Sequence, residues 1–189
     1  MISTKCLNDD CISPVGLSFI KAHLRIDGSH EDNYLQELIE QGTCWVENLC
    51  NISLIKKTYE QIWDFSHEDI HGLNLKKVSY QQIPLKGPVM EISNVFEKKY
   101  DGLTEVTKQN YKLETNENRS TLILNKWIKS GKIKYKSGYG ENPANIPLDI
   151  KSVISMWVHD SYNNRGILSS TMQKHLRSLL DNYTVRRVL

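Results

Sequence analysis

The hydrophobic period of this chain changes twice along its length, from helical to strand-like and back. After Pro14, Leu17, Ile20 and Leu24 recur at helical spacing, which predicts a short helix over residues 16–24 with Gly16 or Ser18 at its start. Asp27-Gly28-Ser29 breaks it and offers a cap for the next helix. Tyr34, Leu35, Leu38, Ile39, Trp45, Val46 and Leu49 then lie on one stripe, predicting a longer helix over about 30–50. Gly42 falls on that stripe, where a small residue lets another helix approach closely. Glu31 and Asp32 suit the positive end of the helix dipole.

Beyond Ile52 the pattern shortens to strands. Residues 54–65, 78–85, 89–98, 111–114, 120–124 and 132–137 read as six short strands, with turns at Lys86-Gly87-Pro88 and Tyr100-Asp101-Gly102. They predict a compact antiparallel region or small barrel. Helical spacing returns after Pro147, with Ile150, Val153, Ile154, Trp157 and Val158 on one face and a stop at Asn163-Asn164-Arg165-Gly166. A last helix over 170–182 carries Leu176, Leu179 and Leu180. The expected fold class is α+β: N-terminal and C-terminal helices packed together as a helical bundle, with an inserted antiparallel β region. The expected organisation is a flexible leader at 1–13, one domain at 14–182 (helices at 16–50 and 148–182, β insertion at 52–140) and a tail at 183–189.

Composition narrows the function classes. Hydrophobic residues are 39% and charged residues 24% of 189, ordinary for a globular domain. A chain of that length buries about 70% of its unfolded surface, enough to fold without a metal or disulfide staple. A net charge of +2 is too small to argue for nucleic acid or a membrane surface. No apolar run reaches membrane-spanning length, and the first residues have no signal-peptide pattern. A protein made and kept in the cytoplasm follows, with Cys6, Cys11, Cys44 and Cys50 all reduced. Cys44 and Cys50 are about 9 Å apart along a helix, too far for a disulfide.

Few residues suggest chemistry. His67-Glu68-Asp69-Ile70-His71 spells HExxH, which on a helix would make His67 and His71 zinc ligands and Glu68 the base of a hydrolase. Its setting argues against that reading: Asp69 sits between the ligands, Gly72 follows at once, and the flanks read as strand and loop. A chance spelling in a polar loop is the simpler account, and no metal or cofactor is expected. Gly138-Tyr139-Gly140 lacks the Lys-Ser/Thr of a phosphate loop and reads as a turn. The four tryptophans read as core anchors. His159 and Asp160 are adjacent on a helix and point apart, so they make no dyad.

The serial order of weaker words carries a resemblance. PVGLSFIKAHLRID followed by HEDNYLQELIEQGTCWVENLCN, then IPLKGPVMEISNV, then IKYKSGYGENPANIPLDIKSVISMWVHDSYNNRG and LRSLLDNYTVRRVL, resembles the head–tail connector (adaptor, head-completion) proteins of phages and prophages, in their longer, β-containing form. The likeness spans residues 14–189. It departs at Gly16, where a hydroxyl cap is usual, and in the long polar loop 66–77.

That resemblance implies a structural protein of virion assembly and DNA packaging, not an enzyme. It implies a self-ring of about twelve subunits under the portal protein, closed by one repeated interface. A tail-completion or stopper protein would follow, and DNA would pass through the channel without sequence recognition or any membrane. The location implied is the head–tail junction of the virion, after synthesis in the bacterial host cytoplasm. Portal docking is expected through the tail, where Tyr183, Val185, Arg186, Arg187 and Leu189 are the portal or subunit interface candidates. Lys132, Lys134 and Lys136 alternate on one strand face and are the candidates to face DNA, in the channel or as an accessory DNA-binding surface. Their bland reading is a solvated sheet face kept soluble by lysine.

Overall fold

The computed structural model describes residues 1–8, 12–65, 80–116 and 119–184. The chain divides into two compact units, one of residues 1–10 and 56–138, the other of residues 11–55 and 139–189. It therefore passes from the first unit to the second and repeats that passage, so each unit is built from two separate stretches of sequence.

The second unit is helical. Helix α1 (Leu17–Leu24) starts at an extended Gly16 and stops at Arg25, which is left-handed. Helix α2 (Asp32–Cys50) ends at a left-handed Asn51. Helix α3 (Leu148–Asn163) begins directly after Pro147, whose fixed φ and missing N–H suit a helix start. Helix α4 (Ser170–Leu179) is capped by Ser169, whose Oγ accepts from Met172 N at 3.3 Å. The core joins both ends of the sequence: Ile20, Leu35, Leu38, Ile39 and Val46 pack with Ile150, Val153, Ile154, Val158 and Leu176. A Cβ on Gly42 would lie 3.0 Å from the Trp157 ring, so the expected close approach is that of α2 on α3.

The first unit contains two antiparallel sheets. The larger runs in the order β1 (Ile2–Asn8), β2 (Lys57–Asp64), β8 (Ser130–Ser137), β4 (Val89–Lys99), β5 (Gly102–Glu105). The smaller has β3 (Gln81–Leu85), β7 (Arg119–Leu124) and β6 (Tyr111–Asn116). They share one core in which Tyr59, Trp63, Ile133 and Tyr135 meet Ile83, Leu85, Leu122 and Leu124. Buried polar groups are matched across it. Gln61 Nε2 donates to Pro84 O at 2.9 Å, Trp63 Nε1 to Ile128 O at 3.1 Å, and Ile128 N to Gln81 Oε1 at 2.9 Å. The turn before β4 contains a cis Gly87–Pro88 bond.

The mixed α and β content with antiparallel sheets agrees with the expected class. Four details differ. The leader expected to be flexible contributes β1, paired with β2 from Ile2↔Trp63 to Cys6↔Tyr59. Its sequence alternates only weakly, and its partner lies more than 50 residues away, so nothing local announces it. Strand β5 was also unforeseen, because Gly102–Glu105 has four exposed residues and no apolar rhythm. The β region is two open sheets and not a barrel. The last helix also ends earlier than expected, at Leu179, with Tyr183 and Thr184 turning back on Leu180.

Candidate functional site

Strand β8 presents the lysine row. Its inward residues Ile133 and Tyr135 are fully buried, so strand alternation turns Lys132, Lys134 and Lys136 to the opposite face of the larger sheet. The register then sets acids beside them. Lys132 Nζ lies 3.2 Å from Glu60 of β2, and Lys136 Nζ lies 2.9 Å from Glu91 of β4. Hydrogen bonding and charge from Lys136 hold the exposed Glu91 carboxyl below its usual range. Lys126, just before β8, reaches Glu97 at 2.6 Å. Lys134 stands opposite Glu60 and Asn94 in the register and makes no ion pair among the described residues. Two of the three lysines in the row are therefore neutralised by their own sheet.

Sequence reasoning found the lysines and missed their partners. Glu60, Glu91 and Glu97 are about 30–75 residues from the lysines they meet, and only strand pairing brings them together. The face also carries Phe96, over which Lys132 Nζ sits 5.7 Å from the ring centroid.

The tail candidates separate. Tyr183 packs against the helical core, its N–H donates to Leu180 O at 2.9 Å, and its hydroxyl reaches Asp149 Oδ2 at 3.4 Å. It is thus tied to its own helical unit. Val185, Arg186, Arg187 and Leu189 lie outside the described residues, as do His67, Glu68 and His71 of the HExxH spelling. Among the described residues, no three His, Cys, Asp or Glu side chains are gathered as for a metal ion.

The other motifs have structural work. Gly138 and Gly140 have φ of 138° and 145°, and a Cβ on Gly140 would strike the Asn145 side chain, so the Gly-Tyr-Gly segment is a turn. Asp160 accepts from Ser169 N at 2.7 Å and from Ser169 Oγ at 3.1 Å, tying the end of α3 to the start of α4. His159 instead meets His23 of α1 edge to face, with ring centroids 5.8 Å apart. The two neighbours do point apart. Trp63 and Trp157 are buried, whereas Trp45 and Trp127 are half-buried.

Residues 15–120 match the family model described as phage gp6-like head–tail connector protein. Among solved structures, a chain from the neck of an empty gene transfer agent (GTA) particle, computed with C6 symmetry, is similar with a TM-score of 0.75. It is 15% identical, with 99% of this chain and 97% of that chain covered. A chain of the native GTA virion gives 0.74 at 15% identity over 98% of this chain and 97% of that one. One from the neck of the native particle, computed with C12 symmetry, gives 0.66 at 16% identity over 98% and 97%. At such identity the likeness is one of fold. No curated protein matches.

Proposed function

This chain belongs to the phage gp6-like head–tail connector family, and from that membership we propose that it forms a ring of about twelve copies at the head–tail junction of a virion. The observation that carries this reading is the family match over residues 15–120, in a chain whose whole fold is similar to neck proteins of a particle treated with twelvefold symmetry. The work of such a protein is geometrical. Each subunit repeats one interface with its neighbour, and closing the ring makes the last contact conditional on all the others. No chemical step is needed, so we assign it no reaction.

The portal on one side and a tail-completion protein on the other are the partners this role requires. Tyr183 acts as the anchor where the tail leaves the helical unit, and residues 185–189 are the segment that docks on the portal. Two apolar valines, a leucine and two arginines in that segment suit a groove with acidic groups at its rim. DNA would pass the lysine row of β8 without being held. Pairing with Glu60 and Glu91 leaves the row too little free charge to grip a duplex, which favours sliding over adhesion.

Negative-stain imaging with light scattering, on the protein alone and mixed with its portal, tests this directly. Rings of about twelve subunits in either preparation are expected. A monomer in both, with no portal complex, would remove the connector role.

A further inference from the structure

A ring needs two different surfaces on each subunit that fit one another, and among the described residues the larger sheet ends in two edge strands, β1 and β5. We infer that neighbouring copies join by parallel pairing of β5 of one subunit with β1 of the next, so that one subunit's sheet continues into its neighbour's. The inference rests on the ring proposed above and specifies its interface.

The backbone pattern of the two edges selects this pairing. Asp64 N donates to Met1 O at 2.9 Å, so Met1 faces β2 with its hydrogen-bonding groups. Alternation along an antiparallel pair then turns those of Ile2 and Thr4 away from β2. At the other edge Val106 N donates to Val95 O at 2.8 Å, so the same count turns those of Leu103 and Glu105 outward. Side-chain faces follow from the register. Thr4 shares the core face with Gln61, to which its hydroxyl donates at 3.1 Å. Glu105 lies opposite Phe96, and Phe96 opposite Lys132, so Leu103 and Glu105 stand on the outer face.

An antiparallel pair matches outward-bonding residues directly across from one another, which here would set a core-face residue against an outer-face one. A parallel pair instead lets one residue bond the two that flank its opposite. Thr4 can thus bond Leu103 and Glu105 while standing opposite Thr104, which is on the core face, and both faces of the sheet continue unbroken. Parallel is also the direction a ring imposes. β1 and β5 run the same way within one sheet, and a step of about 30° around a twelvefold ring barely turns them.

Side chains agree with that register. Lys5 falls beside Glu105 on the outer face, and Lys5 has no ion pair among the described residues. Of the smaller sheet's two edge strands, β3 and β6, β3 carries Pro84, which has no N–H to offer, whereas β1 and β5 contain no proline.

Cysteines at Ser3→Cys and Leu103→Cys, in a Cys6→Ser background of the full chain, test the contact when oxidised with and without the portal. The double variant should give a covalent ladder of multimers, and each single variant should give none. In parallel, Leu103→Pro removes one outward N–H without touching the β4 ladder and should abolish rings while circular dichroism stays unchanged. Lys5→Glu should weaken ring formation at least tenfold, and Lys5→Glu with Glu105→Lys should restore it. Rings without a ladder, or rings indifferent to Leu103→Pro, would overturn the β5–β1 contact and leave the ring itself standing. Dimers from Ser3→Cys alone would replace it with a β1–β1 pairing. No rings under any condition would overturn both readings.

Discussion

Gly131 shows how a single residue sets the larger sheet. A Cβ there would lie 2.5 Å from Phe96 O and 2.5 Å from Trp63 Cζ2, so β4 and the buried indole close on the space a side chain would need. Gly131→Ala should cost about 2–3 kcal/mol, read as a lower urea midpoint. Gly42→Ala in α2 should lie much nearer neutral. Its new methyl meets the Trp157 ring at 3.0 Å, and the gain of about 1 kcal/mol in helix propensity offsets that crowding. Burial pushes the Cys50 thiol up from 9.0 to about 11. An acid that keeps its proton longer when folded contributes fully below its unfolded pKa and loses that contribution as pH rises through its folded one. The thermal midpoint should therefore fall between about pH 9 and 11, and burial of the Tyr135 and Tyr139 hydroxyls acts in the same sense above about pH 10. A Cys50→Ala variant should show a shallower alkaline slope by scanning calorimetry.

At the scale of elements, junctions matter more than interiors. The α3–α4 corner depends on Asp160 and Ser169, since the carboxylate takes both the amide and the hydroxyl of Ser169 while that hydroxyl caps α4. Ser169→Ala should cost about 1 kcal/mol, measured by chemical denaturation, and Ser169→Asp should not rescue it because Asp160 would then face a like charge. The tail is the converse case. Tyr183 and Thr184 close on Leu180, and a chain cut after Thr184 keeps those bonds. The truncated protein should unfold at the same denaturant concentration and bind the portal at least tenfold more weakly in a sedimentation assay. Unchanged portal affinity would take the docking role away from the tail.

For the whole molecule, the chain forms two units, each built from two stretches of sequence. The helical unit leads into the tail, and the sheet unit carries edge strands β1 and β5 of the larger sheet, β3 and β6 of the smaller, and a lysine row with two of its three members ion-paired. Duplex DNA should bind the free protein weakly, with a shallow dependence of affinity on salt measured by fluorescence anisotropy. A steep slope would mean several phosphates neutralised at once, and the row would then be an adhesive surface.

Much of this was legible from residue order. Helical spacing named α1, α2 and α3 and the faces they bury, because an amphipathic helix writes its own core contacts within every turn. Six strands were placed within a few residues by alternation and turn chemistry, and the word order pointed to the family. What only the tertiary structure decided has one physical cause: strand pairing is non-local. The polar run Ile2–Asn8 becomes β1 because β2 offers it a ladder, not because of its own pattern. Lys132 and Lys136 lose their bare charge because the register sets Glu60 and Glu91 beside them. The sequence thus determined the helices, six of the eight described strands and the family they make. Hydrogen-bond register, which no local pattern contains, decided which edges stay open and which charges stay free.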